Sequence, residues 1–174
     1  MNSVKMVLLM SAFSIATAQA SEKNRLFASL ADSAWDGVKI PDGQQCAKFS
    51  GKGESPRIRV NNIPPRTDAI VVEFSDETYE PMRDGGHGKV GYYVDKRMTE
   101  VTVPPIKGHT FDLPESFFVV EPQRAPQWDT AGAYLPPCSG GKGNTYAATI
   151  KAVRLMNGRV VETMADTNLI LGKY

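Results

Sequence analysis

The chain has 174 residues, with 20 basic and 19 acidic side chains and a formal charge of +1. That balance leaves no strongly basic field for nucleic acid and no polybasic helix for an anionic membrane. Arg57, Arg59 and Arg66 lie close together but are separated by prolines and apolar residues, as on a solvated strand face.

The first twenty residues read as a signal peptide. Lys5 supplies the positive start, Met6 to Ile15 the apolar stretch, and Ala18-Gln19-Ala20 the small-x-small cleavage pattern. The apolar run is shorter than the ~20 residues that span a bilayer. Cleavage after Ala20 would leave a soluble, periplasmic or secreted protein of one domain, residues 21–174, with no formal net charge once Lys5 is gone.

Glu22 to Trp35 carries apolar residues at Leu26, Phe27, Leu30, Ala31, Ala34 and Trp35, a spacing that predicts a short peripheral helix ending near Gly37. From Ile40 onward β-branched runs alternate with Pro, Gly, Asp and Asn. Arg57 to Val60 alternates as a half-exposed strand, and Ala69 to Phe74 reads as a strand buried on both sides. Lys89 to Val94, Met98 to Val103 and Tyr146 to Leu155 follow as strands. Asn157-Gly158 is a hairpin signal before Arg159-Val160-Val161. The tail carries a last apolar run, Leu169 to Leu171. Short strands with frequent turns predict an all-β sandwich with one or a few short peripheral helices and no internal repeats. Gly108 to Thr130 is a long excursion of little periodicity, of the kind that forms rims or lids. Phe117 and Phe118 in it read as core because Val119 and Val120 continue the run. Phe111 and Trp128, if exposed, would mark a partner surface.

Cys46 and Cys138 are the two cysteines. In an exported protein the pair suggests a disulfide, with two buried free thiols as the alternative. No histidine cluster stands near them in sequence, so no zinc site and no cofactor is expected.

Two places carry chemistry. Asp76 leaves the apolar strand Ala69 to Phe74, and His87 opens the next strand eleven positions later. Consecutive strand ends on one rim can bring a carboxylate beside an imidazole, which raises the imidazole pKa and attracts an anionic oxygen. The alternative is a turn-capping Asp76 and a merely polar His87. The second place is Cys138-Ser139-Gly140-Gly141-Lys142-Gly143-Asn144, a glycine-rich loop entering a strand. Its backbone N–H groups could form an anion nest, or the segment could be an ordinary hairpin loop.

The chain resembles the phosphatidylethanolamine-binding protein (PEBP) family, which includes the bacterial Raf-kinase-inhibitor-like proteins, from about Cys46 to Leu155. Ser55-Pro56-Arg57-Ile58-Arg59-Val60 with Ile63-Pro64 is similar to the family's Ser-Pro-x-Leu-x-Trp…x-Pro entry. Asp76 falls on the first aspartate of Asp-Pro-Asp-Ala-Pro, and His87 on the histidine of the His-Trp pair. Tyr134 to Cys138 resembles Tyr-x-Gly-Pro-Cys, Asn144-Thr145-Tyr146 aligns with His-Arg-Tyr, and Gly172-Lys173-Tyr174 resembles the Gly-x-Tyr ending. The departures are Glu77-Thr78-Tyr79 for Pro-Asp-Ala, Gly88 for the tryptophan, Pro136 for a glycine, and Asn144 for the second pocket histidine. The resemblance implies a Greek-key antiparallel sandwich. It also implies a site for phosphate-like head groups formed here by Asp76, His87, Pro137, Asn144 and Tyr146, with an altered ligand preference because one imidazole is lost. It is compatible with peripheral contact to a phospholipid head group.

A hydrolase would need His87 or His109 as base and Ser75 or Ser139 as nucleophile. No Gly-x-Ser-x-Gly elbow occurs, and Lys107-Gly108-His109-Thr110 reads as an exposed loop. Asp76, His87 and Asp84 match no metal-ligand spacing. The expectation is a non-catalytic binder of a small phosphate- or carboxylate-bearing ligand. The alternatives are a protein-interaction or inhibitor module of unnamed partner, and a hydrolase using Asp76 and His87.

Overall fold

The computed structural model describes residues 25–174. The signal-peptide reading and the first residues of the expected helix lie outside this range. Among the described residues, eight strands form two antiparallel sheets. The smaller contains β1 (Phe27–Leu30), β2 (Ile58–Asn61) and β5 (Glu100–Val103), in the order β1-β2-β5. The larger adds β3 (Ala69–Asp76), β4 (Lys89–Tyr93), β6 (Phe117–Glu121), β7 (Thr145–Met156) and β8 (Arg159–Lys173), in the order β6-β4-β3-β7-β8. Helical structure among the described residues amounts to single 3₁₀ turns at Ala47–Phe49 and Glu80–Met82.

The helix expected over Glu22 to Trp35 is not formed in its described part. Phe27–Leu30 is β1, paired with β2 in the register Phe27↔Asn61 to Leu30↔Ile58. The same residues contain a period-two set. Leu26 is buried and Ala28 and Leu30 are half-buried, while Phe27 and Ser29 face out. Pairing wins because β2 would otherwise present an open edge, with unpaired N–H and C=O groups. Asp32 then caps the pairing by accepting the Arg57 N–H at 2.9 Å.

The core lies between the sheets. Ile58, Val60 and Val103 meet Ile70, Val72, Phe74, Val90, Ala148 and Ile150. The other face of β3 is also covered: Ala69, Val71 and Val153 pack with Phe118 and Leu155, as the apolar residues on both faces of Ala69 to Val72 require, while Glu73 pairs with Lys151 at 2.8 Å. Of the two phenylalanines expected in the core, Phe117 packs against the main core, and Phe118 lies over Gly91 on the outer face. Both are half-buried, whereas Phe111 and Trp128 are exposed. The β7–β8 hairpin turns on Asn157 (φ 51°) and Gly158 (φ 73°), the double positive φ of a type I′ turn. At the opposite end of β7 the β3–β7 ladder closes on Asp76↔Tyr146, and the candidate site lies there.

Candidate functional site

Asp76 is the last residue of β3 and is buried. Its Oδ1 accepts the N–H groups of Thr78 (2.9 Å) and Tyr79 (3.0 Å), so the side chain closes the turn that follows the strand. Its Oδ2 accepts from Asn144 Nδ2 at 2.6 Å. A carboxylate can be buried at modest cost when its lone pairs meet donors in this way. Tyr146, opposite Asp76 in the ladder, is buried and its hydroxyl accepts the Cys138 N–H at 3.0 Å. Burial, with a smaller contribution from Asp76, pushes the Tyr146 phenol up to about 12.

His87 belongs to the same wall. Its N–H donates to the Phe74 carbonyl (2.9 Å), and its carbonyl accepts from the Leu135 N–H (2.8 Å). Gly88 beside it has φ +115°, and a Cβ there would collide with the Ala133 carbonyl oxygen. The tryptophan of the family's His-Trp pair therefore has no room here without movement of the 133–135 segment. The imidazole is buried and edge-on to Tyr146, ring centres 5.3 Å apart. Nδ1 lies 2.8 Å from the Leu135 carbonyl oxygen. A carbonyl only accepts, so Nδ1 carries the proton. Any ligand contact by the ring then falls to Nε2. The sequence-based expectation that Asp76 keeps this imidazole basic is corrected. Burial pulls its pKa below the ordinary histidine value and outweighs the upward pull of the Leu135 carbonyl, Asp76 and the Pro136 carbonyl.

Asp76, His87, Asn144 and Tyr146 line one cavity of about 500 Å³. Pro137 does not. It borders a small void beneath, and its carbonyl accepts the Cys46 N–H at 3.0 Å. Asp84 is not among the lining residues either. The lining continues with Lys48, Phe49, Tyr79, Met82, Trp128 and Lys142. Lys48 and Phe49 gave no sign of a site in the sequence. The signal that could have found them is the Cys46–Cys138 disulfide (Cα–Cα 5.2 Å), which ties the 46–49 turn to the glycine-rich loop. His109, expected to be exposed, is half-buried, and its Nε2 accepts the Ala47 N–H at 3.1 Å. It pins the same turn.

The glycine-rich loop is partly spent on structure. Gly143 N–H donates to the main-chain oxygen of Tyr174 (2.8 Å), and the Ser139 hydroxyl reaches the same oxygen (2.6 Å). Gly140 has φ +70° and sits so close to the Phe49 ring that a Cβ would come within 2.7 Å of it. This part of the loop packs a wall of the cavity.

No protein-family model matches the sequence. No curated protein matches it. Among solved structures, the crystal structure of Escherichia coli YbcL, described as a new member of the mammalian PEBP family, matches with a TM-score of 0.53. The two chains share 14% sequence identity over 86% of this chain and 98% of that one. The chain thus has a PEBP-like β-sandwich fold, in divergent form.

Proposed function

We propose that the protein is an exported, non-catalytic binder of small phosphate- or carboxylate-bearing ligands, held reversibly in the cavity beside His87. The observation that carries this reading is the convergence of His87, Asn144 and Tyr146 with two lysines, Lys48 and Lys142, around one cavity. Among the described residues neither lysine forms an ion pair. Lysine ammonium groups offer donors to an oxyanion, and the His87 ring adds one where a bound anion or lower pH protonates Nε2. Asp76 does not oppose this strongly, because three donors already engage its carboxylate. The PEBP-like fold supports a PEBP-type binding role at the level of architecture. A phospholipid head group is one member of the ligand class.

The two serines that a hydrolase reading needs are both engaged elsewhere, which favours binding over turnover. Ser139 donates to the Tyr174 main-chain oxygen, and Ser75 Oγ is buried and accepts the Gly85 N–H at 2.9 Å. Neither hydroxyl is bonded to a histidine, which a serine hydrolase needs for proton removal. Isothermal titration with phosphate, phosphoethanolamine and acetate tests the reading. Saturable binding to wild type that is weakened at least tenfold in His87→Ala is expected. No heat at millimolar concentration from any of the three sinks it, and hydrolysis of a phosphate or carboxylate ester lost in the same variant would establish the hydrolase alternative.

A further inference from the structure

The cavity exceeds what a lone oxyanion needs, and much of its remaining lining is aromatic. Its volume of about 500 Å³ falls in the range of pockets that enclose whole small molecules. Tyr79 and Trp128 both line it, with ring centres 5.5 Å apart and planes inclined by 48°. Each keeps a large part of its surface open, 42% and 39%.

These rings come from loops, yet the loops are tied. Tyr79 N–H is held by Asp76 Oδ1, the carboxylate on the cavity wall, at 3.0 Å. Trp128 N–H donates to the Ala125 carbonyl at 3.0 Å. The next residue, Asp129, accepts the Lys48 N–H at 3.1 Å, joining the Trp128 loop to the Lys48–Phe49 turn. A platform anchored at several points loses little conformational freedom when a ligand lands on it. Exposed faces of Trp and Tyr bind flat rings through offset or edge contacts, which add to the area buried.

We infer that the cavity takes a ligand whose anionic group is carried on a planar aromatic body, an aryl phosphate or aryl carboxylate. Trp128 and Tyr79 form the stacking surface, and Lys48 and Lys142 meet the anion. The inference rests on the anion-binding reading above and narrows its ligand class.

Titration of the exported chain with phenyl phosphate, butyl phosphate and inorganic phosphate tests it. Phenyl phosphate should bind roughly 5- to 10-fold more tightly than butyl phosphate and quench the emission of Trp128; Trp35, the other tryptophan, is buried. Trp128→Ala should bring the phenyl-to-butyl ratio close to one, and Trp128→Phe should restore most of it, which separates stacking from damage to the fold. Equal affinity for the two esters in wild type overturns the inference, as does a ratio that survives both Trp128→Ala and Tyr79→Ala. If inorganic phosphate binds in either case, the anion reading stands and only the aromatic preference falls. If none of the three binds at millimolar concentration, both fall.

Discussion

Asp76 and Asn144 stand 68 positions apart in the chain, and a 2.6 Å hydrogen bond joins them at the mouth of the β3–β7 ladder. Asn144 occupies the position where the PEBP-like pattern has its second histidine. Here it donates to the buried carboxylate, so its loss exposes that carboxylate to the cavity.

Asn144→Ala should therefore act on both stability and binding. Leaving Asp76 Oδ2 without its donor costs about 1–3 kcal/mol, read as a lower urea midpoint, and the freed negative charge should weaken anion binding. Asn144→Asp should be worse at neutral pH, because two carboxylates then face each other. The gap between the two variants should close on acidification, as one carboxyl takes up a shared proton. Equal midpoints for wild type and both variants would show that Asp76 does not depend on Asn144.

Burial lowers the His87 pKa in the folded state below the ordinary histidine value of about 6.5 that the unfolded chain approaches. Between the two values the unfolded chain binds more protons, so stability rises with pH through that window. The stabilising contribution of the neutral ring is fully present above about 6.5 and is lost as pH falls towards the folded value. Thermal midpoints should drop as pH falls below about 6.5, and His87→Gln should flatten that part of the curve. Anion affinity should run the other way, since a bound anion favours the protonated ring. Titration with sulfate, whose own charge is constant here, should show tighter binding at the lower pH. Affinity that is flat or falls with acid would remove His87 from the anion's contacts.

The disulfide joins residues 92 positions apart. Closing so long a loop restricts the unfolded chain, and the paired substitutions Cys46→Ala and Cys138→Ala should lower stability by roughly 2–5 kcal/mol in denaturant titrations. Phosphate binding should weaken as well, because Lys48 and Phe49 are held against the 138–142 loop through this link. A loss below about 1 kcal/mol would mean that the Cys46–Pro137 and Ala47–His109 hydrogen bonds already hold the turn.

The sequence by itself determined most of the scaffold, because its signals are local. Alternation in Arg57 to Val60 reports a strand with one face in water, the apolar run Ala69 to Val72 continued by Phe74 reports one covered on both faces, and Asn157-Gly158 reports a tight hairpin. Each depends on backbone stereochemistry and side-chain period within a few residues. The order of partial motifs was enough to suggest the sandwich and the convergence of Asp76 and His87 on one rim, although His87 lies in the turn before β4 and the ladder partner of Asp76 is Tyr146. Local signals failed at Leu26 to Leu30, whose apolar residues satisfy both a helical and a two-residue period. The open edge of β2, a distant neighbour, decided between them. Only the tertiary structure decided the protonation and composition of the site. Whether His87 is raised by Asp76 or lowered by desolvation depends on how completely Leu135, Tyr146 and the sheet exclude water, and burial is a sum over the whole fold. Lys48 and Phe49 entered the cavity for the same kind of reason: a covalent link and a histidine 62 positions downstream of Ala47 carry their turn to it, and no pattern within the turn records where it will be tied.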